Sequence, residues 1–351
     1  MKKLFLWFLC LCLVFGCFGC SQEEPQDTQP YTEVIRQRQI GLCLPNQTDN
    51  RWISDGKAII QQLEELGYQV LLEDAREDAR LQAEQLTALI SRPVDCLIVS
   101  AVDEIALHSA LLQAHNAGIP VIAYDRPLSP ELSSAYTGMD YENLGVLIAQ
   151  EIVREQQLDL ATPSERRYRI ELFMAPPENP NSYSFYQGIM QVLQPYIDSG
   201  VLVIPSGRYL FEDACALDSS SGTGLLLCQQ ILSDYYAKQW PDIIITGDDP
   251  LALGCILALE GNCPADRWPI ISGLGGSLKG AKRIVTDKLK YSSYFDTTDL
   301  VDACLQAVDS AFFGQITAYE ETRLPATVLH KGNYEEILLE GGIYTSQELF
   351  E

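Results

Sequence analysis

The chain has 351 residues, 47% of them hydrophobic, with 48 acidic against 24 basic side chains and a formal net charge of -24. That balance argues against nucleic acid or an anionic surface as partner and reads as a well-solvated exterior. The length exceeds what one ordinary core fills, so two domains are expected.

The N-terminus carries a short positive region, Met1-Lys2-Lys3, then an apolar run from Leu4 to Phe15 that is too short to span a bilayer. Gly16-Cys17 and Gly19-Cys20 each place a small residue before a cysteine, the pattern of a bacterial lipoprotein export signal over residues 1–20. Cys20 is the expected lipidation site, since Ser21 follows it at once; Cys17, with Val14 three residues upstream, is the alternative. Residues 21–36 are polar and contain proline, the composition of a flexible tether. The mature protein is therefore expected outside the cytoplasm, lipid-anchored to the cell membrane.

From Gln39 onward short apolar runs alternate with amphipathic stretches. Ile40–Leu44, Val70–Leu72, Cys96–Ser100 and Pro120–Ala123 have the length and β-branched content of buried parallel strands. Helices are predicted over Asp55–Leu66, Ala79–Ile90 and Ile105–Asn116, the first and last closing on Gly67 and Gly118. The segment Tyr136-Thr-Gly-Met-Asp140 reads as a break, after which the pattern restarts with a helix over Tyr141–Glu155, a strand at Tyr168–Phe173 and a helix near Tyr183–Leu193. Strands follow at Leu202–Ile204, Asp242–Ile245 and Pro269–Ile271. The fold class predicted is α/β: two Rossmann-like lobes, each a mostly parallel sheet flanked by helices, joined by a hinge. The N-terminal lobe is expected over 37–138 with a returning segment at about 295–322, and the C-terminal lobe over 139–294 with a segment at about 323–351.

Polar residues without a structural reason gather just past the carboxyl ends of these strands, where open α/β sheets bind ligands. They are Asn46, Arg51 and Trp52, then Asp103, Asp125 and Arg126, then Asn179 and Asn181, then Asp248 and Asp249. Arg51, Trp52, Asp103, Asp125, Arg126, Asn181 and Asp249 are the candidate ligand-binding set. Carboxylates, amides, a guanidinium fork and an aromatic face are what a polyhydroxy ring needs for fixed-direction hydrogen bonds and apolar stacking. Each has a plainer role open to it: Asp125 as a helix cap, Arg126 in a surface pair, Trp52 in the core.

Other chemistry is poorly supported. Cys43, Cys96, Cys215, Cys228, Cys255, Cys263 and Cys304 follow the signal, an odd number with no zinc spacing. Cys43, Cys96 and Cys255 read as small core residues, while Cys215 with Cys228, or Cys255 with Cys263, are the pairings open to a disulfide. His108, His115 and His330 lack companions for a metal site, and no metal or cofactor is expected. Gly273-Leu-Gly-Gly-Ser-Leu-Lys-Gly280 misses both the dinucleotide fingerprint and the phosphate loop. No nucleophile elbow or nucleophile–histidine pair argues for an enzyme.

Several stretches together resemble a known family: Arg51-Trp52 after Leu44-Pro45, Val121-Ile-Ala-Tyr-Asp125-Arg126, Ile170-Glu-Leu-Phe173 followed by Asn181 and Phe185-Tyr-Gln-Gly188, and Leu193-Gln-Pro-Tyr-Ile-Asp-Ser-Gly200. They are similar to the xylose-type and multiple-sugar-binding members of the type I periplasmic binding proteins, from about Gln39 to the final Glu-Gly-Gly-Ile-Tyr stretch. The resemblance implies a monosaccharide held between two lobes at Arg51, Trp52, Asp125, Arg126, Asn181 and Asp249, and delivery to an ABC permease with its ATPase by a monomeric protein. A sensory lipoprotein presenting a sugar or other small polar ligand to a membrane receptor or kinase is the alternative. The sequence departs from the family at Gly275, where a carboxylate is usual, and at Leu217, Pro180 and Asp296.

Overall fold

The computed structural model describes residues 37–351 apart from Asp49, Lys238 and the side chain of Asn50. The export signal and tether, with Cys17 and Cys20, lie outside the described residues. In chain order the first run is β1 (Gln39–Leu44), α1 (Asn50–Glu65), β2 (Gln69–Asp74), α2 (Ala79–Ile90), β3 (Cys96–Val99), α3 (Glu104–Asn116), β4 (Val121–Tyr124) and β5 (Ala135–Met139). The second run is α4 (Tyr141–Gln156), β6 (Tyr168–Phe173), α5 (Pro180–Asp198), β7 (Leu202–Val203), α6 (Phe211–Ala214), α7 (Ser221–Ile231), β8 (Ile243–Thr246), α8 (Asp249–Leu259), β9 (Ile270–Ser272), α9 (Leu278–Val285) and β10 (Tyr291–Tyr294). The chain ends with α10 (Thr297–Phe312), β11 (Glu320–Leu324), β12 (Thr327–His330) and α11 (Ser346–Phe350).

Two six-stranded sheets result, ordered β11-β5-β4-β3-β1-β2 and β12-β10-β9-β8-β6-β7. Every pairing in the first is parallel, and in the second only β10 with β12 is antiparallel. Helices cover the faces, so central strands such as β3, β4 and β8 are buried at every position. The chain passes between the sheets at 139–141, 294–297 and 324–327 among the described residues. Two of these passages are tied by the Asp140 N–H donating to the Leu324 carbonyl at 2.9 Å. At the same junction the rings of Tyr141 and Phe295 pack at 5.5 Å.

The stretch read as a break, Tyr136 to Asp140, is instead mostly strand: β5 is buried throughout. Thr137 and Gly138 disguise it, and Gly138 has a specific task. A Cβ there would fall 1.9 Å from the Tyr136 hydroxyl, so the missing side chain lets that tyrosine lie along its own strand.

Candidate functional site

Asp125 follows β4 directly with φ +61, a left-handed conformation that aspartate tolerates better than most residues. The turn is locked on three sides. The Asp125 N–H donates to the Thr137 carbonyl at 2.7 Å, and the Asp125 carbonyl accepts from Tyr136 Oη at 3.1 Å and from Asn181 Nδ2 at 3.1 Å. A strained backbone persists only where its surroundings over-determine it, and here they do.

The carboxylate so positioned is 2% exposed. Its Oδ1 accepts from Arg51 Nη2 at 2.6 Å and from Tyr141 Oη at 3.0 Å, while Oδ2 accepts weakly from Asn181 Nδ2 at 3.4 Å. Arg51 also pairs with Asp55, one helical turn along α1, at 3.5 Å. Asp55 is buried and accepts from Tyr124 Oη at 2.9 Å. Burial pushes the Asp55 carboxyl up, and the Arg51 guanidinium pulls it back. Arg51, Asp55, Tyr124, Asp125, Tyr141 and Asn181 thus form one polar cluster.

Beneath it lies Trp52, 5% exposed, with the guanidinium carbons of Arg51 and Arg126 at 4.9 and 5.6 Å from its ring centroid. Arg126 donates to the Ala101 carbonyl at 2.9 Å and reaches Glu77 at 4.0 Å. Glu77 accepts from Asn46 Nδ2 at 2.6 Å.

Asn181 reaches Asp125 because of how α5 starts. Asn179 caps the helix by accepting from the Asn181 N–H at 3.1 Å, and Pro180 occupies the first turn with its pre-set φ. The sequence separation of 56 residues makes this a hydrogen bond from the second α/β unit to the first. Asp103 caps α3 and lines a pocket of about 420 Å³ whose walls are Ala101, Glu104, Ile105 and Pro127 on one side and Pro177, Glu178 and Pro180 on the other.

Asp249, expected in the ligand set, is not brought to this group. It is 1% exposed, and its carboxylate accepts from the Ser277 N–H (2.8 Å), Ser277 Oγ (2.7 Å) and Ser292 Oγ (2.7 Å). A Cβ on Gly273 or Gly280 would stand 2.3 Å from its oxygens, so two glycines wall the carboxylate in. Its work is to join α8, the start of α9 and β10. The neighbouring Asp248 caps α8 by accepting from the Leu251 N–H at 2.7 Å, and burial pushes its carboxyl up to about 6.

The departures from the family pattern have local causes. Gly275 has φ +121, a conformation side chains rarely adopt, and its N–H donates to Ser293 Oγ at 2.8 Å. Asp296 caps α10 by accepting from the Thr298 N–H at 2.9 Å. Leu217 is 95% exposed. Among the described residues no group of three or more His, Cys, Asp or Glu side chains forms a metal cluster. The seven cysteines that follow the signal, those of both pairings open from sequence among them, are free thiols in this structure. Cys263 donates to the carbonyls of Pro264 (3.6 Å) and Arg267 (3.4 Å), and the thiol that contacts Cys255 is Cys228.

Asp55, Tyr124, Tyr136 and Tyr141 were not foreseen. The four-residue spacing of Arg51 and Asp55 on one helix was the available signal; the tyrosines carried none that separates them from core aromatics.

Comparison with known proteins agrees with this architecture. The chain is 30% identical over 327 residues to the multiple sugar-binding periplasmic receptor ChvE of Rhizobium radiobacter, covering 88% of this chain and 92% of that protein. It is 29% identical to the multiple sugar-binding periplasmic protein SbpA of Azospirillum brasilense, covering 88% and 90%. An ABC transporter solute binding protein from Clostridium phytofermentans, crystallised with β-D-glucose, superposes with a TM-score of 0.83 at 28% identity, over 89% of this chain and all of that one. The periplasmic binding protein domain family matches residues 40–315, and the chain belongs to that family.

Proposed function

We propose that this protein captures a neutral monosaccharide between its two lobes and delivers it to an ABC importer. The carrying observation is the Asp125 carboxylate, fixed by a strained, fully hydrogen-bonded turn where Arg51, Tyr141 and Asn181 converge. A carboxylate and a guanidinium beside an amide offer the directional acceptors and donors that vicinal hydroxyls require. Arg51, Asp125, Arg126 and Asn181 would hold the hydroxyls, with Trp52 supporting the two guanidinium groups from below and Asp103 at the mouth. Asp249 holds the second lobe together. The lobes are assigned as residues 37–138 with about 295–322, and 139–294 with about 323–351; β1 to β5 and β11 share one sheet, and β6 to β10 and β12 the other.

Relatives named as sugar-binding periplasmic proteins and an ABC transporter solute binding protein support sugar capture and an importer as recipient. A sensory role has no comparable support. The same relatives favour a binding protein over an enzyme and a location outside the cytoplasm. We infer a monomer held to the membrane by a lipid on Cys20, or on Cys17.

Thermal denaturation against a panel of pentoses, hexoses and inositols tests the reading. A ligand at a hundred times its Kd stabilises the folded state by about 2.7 kcal/mol. A rise in Tm with one or more monosaccharides is expected. A panel that leaves Tm unmoved while an amino acid, peptide or nucleoside raises it would overturn the assignment.

A further inference from the structure

The helices α7 and α8 flank β8 and approach more closely than ordinary side chains allow. A Cβ on Gly224 would stand 2.6 Å from the Leu251 carbonyl oxygen, and one on Gly254 would stand 2.4 Å from the Ser221 oxygen and 2.5 Å from the Leu225 nitrogen. Helices usually pack with axes about 8–10 Å apart, whereas a disulfide needs Cα atoms within about 7 Å. Reciprocal glycines narrow that gap. Cys228 lies one turn beyond Gly224 and Cys255 directly follows Gly254, so this contact sets the two cysteines against each other. The two are free thiols that interact within one solvent-excluded core, at 1% and 0% exposure.

We propose that Cys228 and Cys255 form a disulfide that clamps α7 to α8 when the chain folds in the presence of a small-molecule disulfide or a thiol–disulfide oxidoreductase. One cysteine, as thiolate, attacks a sulfur of the oxidant and expels one thiolate from it. The second attacks the resulting mixed disulfide at the protein sulfur and expels the other. Two protein thiols are oxidised to one disulfide, the oxidant is reduced to two thiols, and the two protons pass to solvent or to the leaving groups. In the folded state burial pushes the Cys255 thiol up, which suppresses its thiolate, so the exchange accompanies folding and precedes closure of the two helices.

The test refolds the denatured, reduced full-length protein in a buffer of oxidised and reduced glutathione, then blocks remaining thiols under denaturing conditions and maps linked peptides by tandem mass spectrometry. A Cys228–Cys255 link is expected in the wild type. It should vanish in Cys228→Ala and Cys255→Ala and persist in Cys215→Ala and Cys263→Ala. Reducing the bond should lower Tm by about 5 to 10 °C, because it closes a loop of nearly thirty residues, and should leave monosaccharide affinity within about twofold. Recovery of both thiols in blocked form, or a link from either to Cys215 or Cys263, overturns the proposal. The wild-type peptide map decides this even if an alanine variant fails to fold.

Discussion

Replacing Asp249 with alanine separates a ligand contact from a structural tie. The carboxylate accepts three hydrogen bonds, from the Ser277 N–H, Ser277 Oγ and Ser292 Oγ, and it is walled in by Gly273 and Gly280. Alanine leaves those three donors facing a small void. Hydrogen bonds to a charged group are worth about 1.5–3 kcal/mol each. Burial opposes them, pushing this carboxyl up, so the net loss falls well below their sum, at about 3–5 kcal/mol. That lowers Tm by about 5 to 8 °C if the two lobes melt together. Asparagine should recover most of it, because its carbonyl oxygen can serve both Ser277 donors while its amide donates to Ser292 Oγ. Urea unfolding with calorimetric titration of the sugar found by screening is the assay. Both variants should keep wild-type affinity within about threefold under conditions where they are folded. An Asp249→Ala protein that melts like wild type but no longer binds would refute the reasoning and return the carboxylate to the ligand.

The opposite pattern is expected for Asp125→Asn, which keeps the shape and tolerates positive φ: sugar affinity by titration should fall about tenfold to a hundredfold, the loss of one charged hydrogen bond. Asp248→Asn should stabilise the protein at pH 7.5. With its carboxyl raised from 3.8 to about 6, the unfolded chain ionises first, so stability present below pH 4 is lost between pH 4 and 6 and stays lost above, by about 3 kcal/mol at most. Asparagine retains the cap, so calorimetry should show a gain of about 2 to 5 °C at pH 7.5 that disappears at pH 4; an equal gain at both would exclude the charge as its cause. Gly275→Asp should lower Tm without creating a new sugar contact, since φ +121 strains any side chain there. A Cys17→Ser, Cys20→Ser double variant should appear in the soluble fraction on immunoblotting, and continued membrane association would show an uncleaved apolar anchor.

Periodicity made the α/β alternation legible because buried parallel strands such as β3 and β8 are unbroken apolar runs. It failed where strands are polar or contain glycine. Thr137 and Gly138 hid β5, and the Tyr-Ser-Ser-Tyr of β10 lacks a strand's apolar run because its serines serve the Gly275-Gly276 turn and Asp249. Part of the polar group around Asp125 was readable as a candidate site, since Asp125, Arg126 and Asn181 stand just past strand ends. The layer that holds them was not. Tyr136 lies in the strand hidden within the stretch read as a break and Tyr141 opens the helix after it, and an interior aromatic looks the same in sequence whether or not its hydroxyl finds a partner. For Asp249, position after a strand did not report direction: the first residue of a helix can turn its carboxylate inward, here onto Ser277 and Ser292, as readily as outward.

The edge of the first sheet has a consequence for when folding finishes. β11 pairs with β5 from Glu320 against Ala135 to Leu324 against Met139, about 185 residues apart in sequence. The chain between them builds nearly all of the other sheet, so the first sheet cannot acquire its last strand until almost the entire polypeptide is present. Pairings of such separation are slow, because loop closure must precede any gain from the contact. A nascent chain would therefore spend its synthesis with the β5 edge open, and a truncation just before Glu320 would leave unfinished the lobe whose other strands end near residue 139.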